Sequence, residues 1–195
     1  MTTLKGRLSV KLTDAVDNLP FWNQRFDGVK EEGFALQEKV ANMIAAQVEP
    51  HIEAAETRRI SSNPAPEPGA YELYLRALHA FRRFGEASNR EALGLLEQAL
   101  ALDPTLGPAL ELASQIYTFR CINGWTDDVE ATRVLGQEFS RRALHHGPGD
   151  PRVLIAAAMA AVFLGNDLDM AAIMVERALI INPNSSTHLM LRGWI

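Results

Sequence analysis

Leu8, Val10 and Leu12 alternate with Arg7, Ser9 and Lys11, the period of two that gives a strand one buried face. Asp14 to Asn18 supply turn residues, and the aromatic-rich stretch Phe21 to Phe26 follows, so a hairpin or two neighbouring strands is expected. From Phe34 the period changes. Leu36, Val40, Met43, Ile44 and Val48 recur at threes and fours and share one face of a helix. Pro50 lacks an amide proton and should kink that helix, whose continuation runs to about Arg59. Two strands and one helix are too little to close a core, so residues 1–60 read as a partial α/β segment. Trp22 and Phe26 are read as packing between strand and helix rather than lining a ligand site. Residues 61–69 hold Pro64, Pro66 and Pro68 without periodic apolar positions, which describes an extended linker and a domain boundary.

Beyond the linker one short pattern occurs three times: Ala99-Leu100 with Pro104, Ala143-Leu144 with Pro148, and Ala178-Leu179 with Pro183. The second interval is 35 residues, close to the roughly 34-residue period of tetratricopeptide repeats. The first is 44, and the extra residues are expected as an enlarged turn within Thr118 to Asp127. Small residues are needed where two helices cross closely, and Ala77, Ala92, Ala99, Ala158, Ala171 and Ala178 supply them. Proline then ends each second helix. Ser88 with Glu91, and Asp127 with Glu130, have the spacing of helix-starting capping boxes. The expected fold is mainly α, a tetratricopeptide-type α-α superhelix of about three repeats and a truncated fourth, preceded by the hairpin and helix. Repeat boundaries fall at 70–104, 105–148, 149–183 and 184–195. Helical arrays normally end in a polar cap, whereas Leu189 to Ile195 is largely apolar. The chain is therefore expected to be a fragment, or to pack that last helix on another molecule. Leu191, Trp194 and Ile195 are the candidate self-association residues of a homo-oligomer.

A formal charge of −5 in 195 residues disfavours broad phosphate-backbone contact, so no direct nucleic-acid partner is expected. The richest apolar run, Val153 to Leu164, falls short of a membrane span and reads as a buried helix. With one cysteine, Cys121, and no apolar leader within Met1 to Val10, the reading is cytoplasmic.

Signatures of enzymes are missing: there is no phosphate-binding Gly-x-x-x-x-Gly-Lys loop, nucleophile elbow or His-Glu-x-x-His helix. His145 and His146 sit at a helix end, where a cationic ring suits the dipole, and are read as structural. Cys121 is read as an inert thiol. No cofactor or metal is expected. The surface expected to work is the concave face formed by the first helix of each repeat. Tyr74, Leu78, Phe81, Arg82, Glu111, Ser114, Tyr117, Thr118 and Met159 are the candidate lining. That mixture suits a protein or peptide partner with apolar anchors. Leu78 and Glu111 stand where a chaperone-type carboxylate clamp needs basic or polar groups, so that mode is disfavoured.

Four segments, Arg7 to Asp14, Phe21 to Asp27, Phe34 to Val40 and Tyr71 to Ala77, occur in an order that resembles one bacterial group. They are similar to the region following the output domain in class III adenylate cyclases with tetratricopeptide repeats, and in related winged-helix transcriptional regulators. The resemblance implies a Tol-like α/β segment before the repeats, an output domain outside this chain, and a sensory, scaffolding or regulatory role. It transfers no catalytic residue, because the cyclase motifs have no counterparts in these positions. On this reading the chain is not itself an enzyme, while a larger protein containing it could be a nucleotide cyclase.

Overall fold

The computed structural model describes residues 5–13, 20–29, 52, 55–56, 68–181, 186–193 and 195. The chain divides into two compact units, Met1–Glu56 and Thr57–Ile195.

In the first unit β1 (Lys5–Thr13) and β2 (Pro20–Val29) form an antiparallel pair. Leu8 faces Phe26 and Leu12 faces Trp22, with an irregularity between Leu12 and Thr13. Ser9 opposite Arg25 and Lys11 opposite Asn23 are all exposed, while Val10 is half-buried, as the period-two pattern requires. The helix expected over 34–59 and the linker expected over 61–69 lie outside the described residues, except that Ile52, Ala55 and Glu56 are helical and Pro68 and Gly69 are non-helical.

The second unit is helical: α1 (Ala70–Arg82), α2 (Glu86–Leu102), α3 (Gly107–Asn123), α4 (Val129–His146), α5 (Pro151–Ala160), α6 (Leu168–Ile181) and α7 (Ser186–Arg192). A π-helical turn, Ala161–Gly165, continues α5. Helices pair as hairpins, α1 with α2, α3 with α4 and α5 with α6. Each hairpin also touches the next: α1 meets α3 and α3 meets α5, while α2 packs on α3 and α4 on α5. The repeated alanines lie at these crossings. Ala77, Ala92, Ala99, Ala158, Ala171 and Ala178 are all fully buried.

Helix starts follow local chemistry, though not always at the residues expected. Asp128, rather than Asp127, caps α4 by accepting from the Ala131 amide at 2.9 Å. Asp150 accepts from the Arg152 amide at 2.8 Å and Asp167 from the Met170 amide at 2.9 Å. Ser88 caps nothing: α2 already begins at Glu86, and the Ser88 hydroxyl donates back to the Gly85 carbonyl at 3.0 Å. The long interval is resolved partly as expected. Thr118 to Asn123 are helical, but the turn that follows, 124–128, is longer than the turn 166–167 of the next hairpin, so the extra residues are shared: part enlarges the turn, and part lengthens α4, which has 18 residues against 14 in α6.

The second and third hairpins lock around Leu164. Arg133 donates from Nε at 2.9 Å and from Nη2 at 2.6 Å to the Leu164 carbonyl, and Gln137 Nε2 joins at 3.1 Å. These three donors satisfy an oxygen at the π-turn that the helical ladder leaves free. Gly136 makes the approach feasible, since a Cβ there would stand 2.4 Å from Leu164 Cδ1 and 3.0 Å from Tyr117 Cβ.

Candidate functional site

The middle helix α3 is buried along most of its length, from Ala109 to Thr118 with only Gln115 half-open. This decides the fate of the expected concave lining. Tyr74, Glu111, Ser114, Tyr117 and Thr118 are buried, at 2%, 6%, 0%, 9% and 0% exposure. Tyr74, Glu111, Ser114 and Thr118 are thereby withdrawn from a partner in this arrangement, while Tyr117 keeps an edge in the wall of an outer groove. The hydroxyls among them are used internally: Thr118 Oγ1 donates to the Ser114 carbonyl at 2.9 Å and Ser114 Oγ to the Gly136 carbonyl at 3.2 Å. Leu78, Phe81 and Met159 are half-buried and Arg82 is exposed, so these four keep accessible surface.

Open grooves lie instead between successive outer helices. One of about 300 Å³ runs between α2 and α4 over α3, with Leu93, Leu96, Leu100, Ala113 and Tyr117 in its walls. Another of about 320 Å³ runs between α4 and α6 over α5, with Gln137, Ser140, Leu144, Ala157 and Ala161 at the corresponding places. Each of these five follows its counterpart by 44 residues, the spacing of Pro104 and Pro148. The grooves are one feature produced twice by one packing rule.

A second contact recurs with them. Arg142 Nη2 donates to the Pro104 carbonyl at 2.9 Å, and Arg177 Nη2 donates to the Pro148 carbonyl at 2.8 Å. In each case the arginine before the Ala-Leu pair reaches back to the proline that closes the preceding hairpin. In the first hairpin the position holds Gln98, which bonds within its own helix to the Gly94 carbonyl. The sequence carried the signal, Arg-Ala-Leu against Gln-Ala-Leu, although the alanine-leucine-proline pattern alone did not expose it.

Tyr117 stacks on Phe139, with centroids 5.6 Å apart and planes 12° from parallel, and the Arg142 guanidinium lies 5.3 Å over the Phe139 ring. Burial, with Glu97 adding to it, raises the Tyr117 hydroxyl above the ordinary tyrosine value. Burial likewise raises the Cys121 thiol, against the opposing charges of Arg133 and Arg120. The thiol is thus held protonated, the condition of an unreactive cysteine. Asp103 is lowered, first by the Thr105 hydroxyl and then by the Thr105 amide, which donate at 2.8 and 2.9 Å. His145 and His146 meet edge to face at 5.1 Å on the surface. Among the described residues no group of three or more His, Cys, Asp or Glu could hold a metal ion, and no helix is long and apolar enough to cross a membrane.

The self-association residues separate. Leu191 is only 2% exposed and packs with Leu154, Val175 and Leu179, so it belongs to the core of the last hairpin and not to an outer surface. Ile195 is 37% exposed, and Trp194 lies outside the described residues.

With this geometry in hand, comparison with known proteins gives one informative similarity. The chain is 29% identical over 136 residues to "Putative adenylate cyclase 3" of Rhizobium meliloti (strain 1021). The match takes in 68% of this chain but 23% of that protein. The similarity is thus to a region of a larger, adenylate cyclase-type protein. No model of a protein family matches the chain.

Proposed function

We propose that this chain is a non-catalytic regulatory and protein-interaction segment, built on tetratricopeptide-type repeats, of a larger adenylate cyclase-like protein. The observation that carries the reading is the recurrence of one inter-hairpin contact, Arg142 to Pro104 and Arg177 to Pro148, together with the groove beside it. A fold that repeats a contact extends by adding hairpins, and its long surface serves binding better than enclosed chemistry. Titration supports the same reading. Among the described residues, the displaced side chains Tyr117 and Cys121 are explained mainly by burial and Asp103 by its own turn, and these three form no paired acid and base.

The similarity to the Rhizobium protein covers less than a quarter of its length, which leaves ample chain for an output domain elsewhere. We therefore assign this segment a regulatory relation to such a domain, and place the partner-facing surface at Leu78, Phe81, Arg82 and Met159. The partner is a protein or peptide that brings apolar anchors to half-open side chains.

The test has two arms. The 195-residue chain incubated with ATP and a divalent cation should form no cyclic AMP; synthesis by this chain alone would refute the non-catalytic reading. The reading frame around this sequence should encode a cyclase domain, and deleting the helical unit from the whole protein should change the rate of cyclic AMP synthesis without abolishing it. An unchanged rate would refute the regulatory role.

A further inference from the structure

The outer face of α6 differs from those of α2 and α4 in a way that points to a second copy of the chain. Ile173, Glu176, Arg177 and Ile180 are spaced i, i+3, i+4 and i+7, so they share one face, and all four are exposed. Ile173 is 54% and Ile180 82% exposed, a large apolar surface to leave in water at the two ends of one stripe. One packing rule generates the outer helices, so equivalent positions can be compared. In α4 they carry Glu138, Arg141, Arg142 and His145, and in α2 Gly94, Glu97, Gln98 and Ala101. Bulky aliphatic groups occupy this stripe only in α6.

The order of the residues selects the partner. Around a two-fold axis between Glu176 and Arg177, two antiparallel copies of α6 bring Ile173 opposite Ile180 and Glu176 opposite Arg177, twice over. The segment Ile-Met-Val-Glu-Arg-Ala-Leu-Ile reads the same in apolar character from both ends and opposite in charge at its centre. That self-complementarity is what an isologous contact requires. Under the same operation α4 would set Arg141 against Arg142 of the other copy, a repulsive pairing. The charges of α6 are partly engaged within the chain, Glu176 with Arg192 at 3.0 Å and Arg177 with the Pro148 carbonyl at 2.8 Å. Both remain exposed and have further hydrogen-bonding capacity toward a facing residue.

We propose that α6 is a homodimerisation surface, with Ile173 and Ile180 as reciprocal apolar anchors and Glu176 and Arg177 as the pairs that set an antiparallel register. A single pair of 14-residue helices buries less than the roughly 1,600 Å² of a standard interface, so association is weak and depends on concentration. This inference is independent of the regulatory reading given above.

Sedimentation velocity on the 195-residue chain, from low micromolar to submillimolar concentration, tests it. The chain should pass from monomer to dimer. Ile180→Glu and Glu176→Arg should each weaken the dimer by about tenfold or more, because one buries a charge against Ile173 and the other sets an arginine against Arg177 of the other copy at both ends of the contact. The double exchange Glu176→Arg with Arg177→Glu restores opposite charges and should recover the dimer, although it removes the Arg177 bond to Pro148. That recovery distinguishes an interface from a merely structural role. Circular dichroism should show unchanged helix content throughout. A chain that stays monomeric at every concentration overturns the proposal. So does a dimer indifferent to Ile180→Glu, or one dissociated instead by Leu189→Glu or Met190→Glu on α7.

Discussion

Replacing Gly136 by alanine sets two effects of known sign against each other. A glycine inside a helix costs about 1 kcal/mol relative to alanine, so the substitution in open space would stabilise α4 by that amount. The space is not open. The new Cβ would stand 2.4 Å from Leu164 Cδ1 and 3.0 Å from Tyr117 Cβ, against ordinary contacts near 3.5–4.0 Å. Cδ1 is the tip of a side chain, which elsewhere could turn aside. Leu164 cannot do so freely, because it is fully buried and its carbonyl is held by Arg133 and Gln137. The Tyr117 Cβ is fixed by its own backbone and by the stacked Phe139 ring. Overpacking of this kind costs about 1–3 kcal/mol, leaving a net loss of about 1 kcal/mol after the helix gain. For a helical unit of this size the melting temperature should fall by about 3 °C. The decisive assay is a double-mutant cycle with Leu164→Ala, read by thermal and urea unfolding. Leu164→Ala alone should cost about 2–5 kcal/mol, and in its background Gly136→Ala should become neutral or stabilising because the obstructing methyl is gone. If Gly136→Ala stabilises the native chain, or costs the same in both backgrounds, the close approach is not what that glycine provides.

Arg142→Met and Arg177→Met should each cost about 1 kcal/mol, the low end for a charged hydrogen bond because both arginines are reached by solvent, whereas Gln98→Met should be nearly silent; urea midpoints compare the three. Alkaline stability should follow the two raised groups. A folded-state value above the unfolded one contributes stability that is complete below the unfolded value and is lost as pH rises through the folded one. The loss should therefore begin above the ordinary thiol value of 9.0 for Cys121 and continue above 10.0 for Tyr117; Cys121→Ser with Tyr117→Phe should flatten it in melting curves taken against pH. Cys121 should also react with iodoacetamide at mildly alkaline pH more slowly than free cysteine does, and equal rates would contradict its protonated state.

Much of the architecture was legible from periodicity. The alternation over Arg7 to Leu12 marks β1, and the alanines at 77, 92, 99, 158, 171 and 178 mark the crossings, because each pattern reports a geometric demand on the residue itself. The surface was less legible, for a physical reason. Ser114 and Thr118 look like polar positions on an open face, yet their hydroxyls bond to backbone carbonyls within the fold, and sequence does not say which acceptor a hydroxyl will find. Tyr74 and Glu111 disappear into the interior because neighbouring elements close over them, a property of the stack and not of the helix. The outer grooves arise between hairpins, so no single repeat encodes them. Length was legible only in part. The longer interval suggested an enlarged turn, and the turn 124–128 takes only part of it while α4 takes more, a division that spacing alone does not fix.

The bond from Arg177 to the Pro148 carbonyl links a helix only to the hairpin before it, as does the bond from Arg142 to Pro104. Coupling in such a chain is local, so its unfolding is governed by nearest neighbours rather than by the whole. Within these 195 residues the α3–α4 hairpin has a full hairpin packed on either side, which predicts slowest amide exchange in α3 and α4. Heat or denaturant applied to the 195-residue chain would then loosen the flanking hairpins before it dissolves the α3–α4 pair.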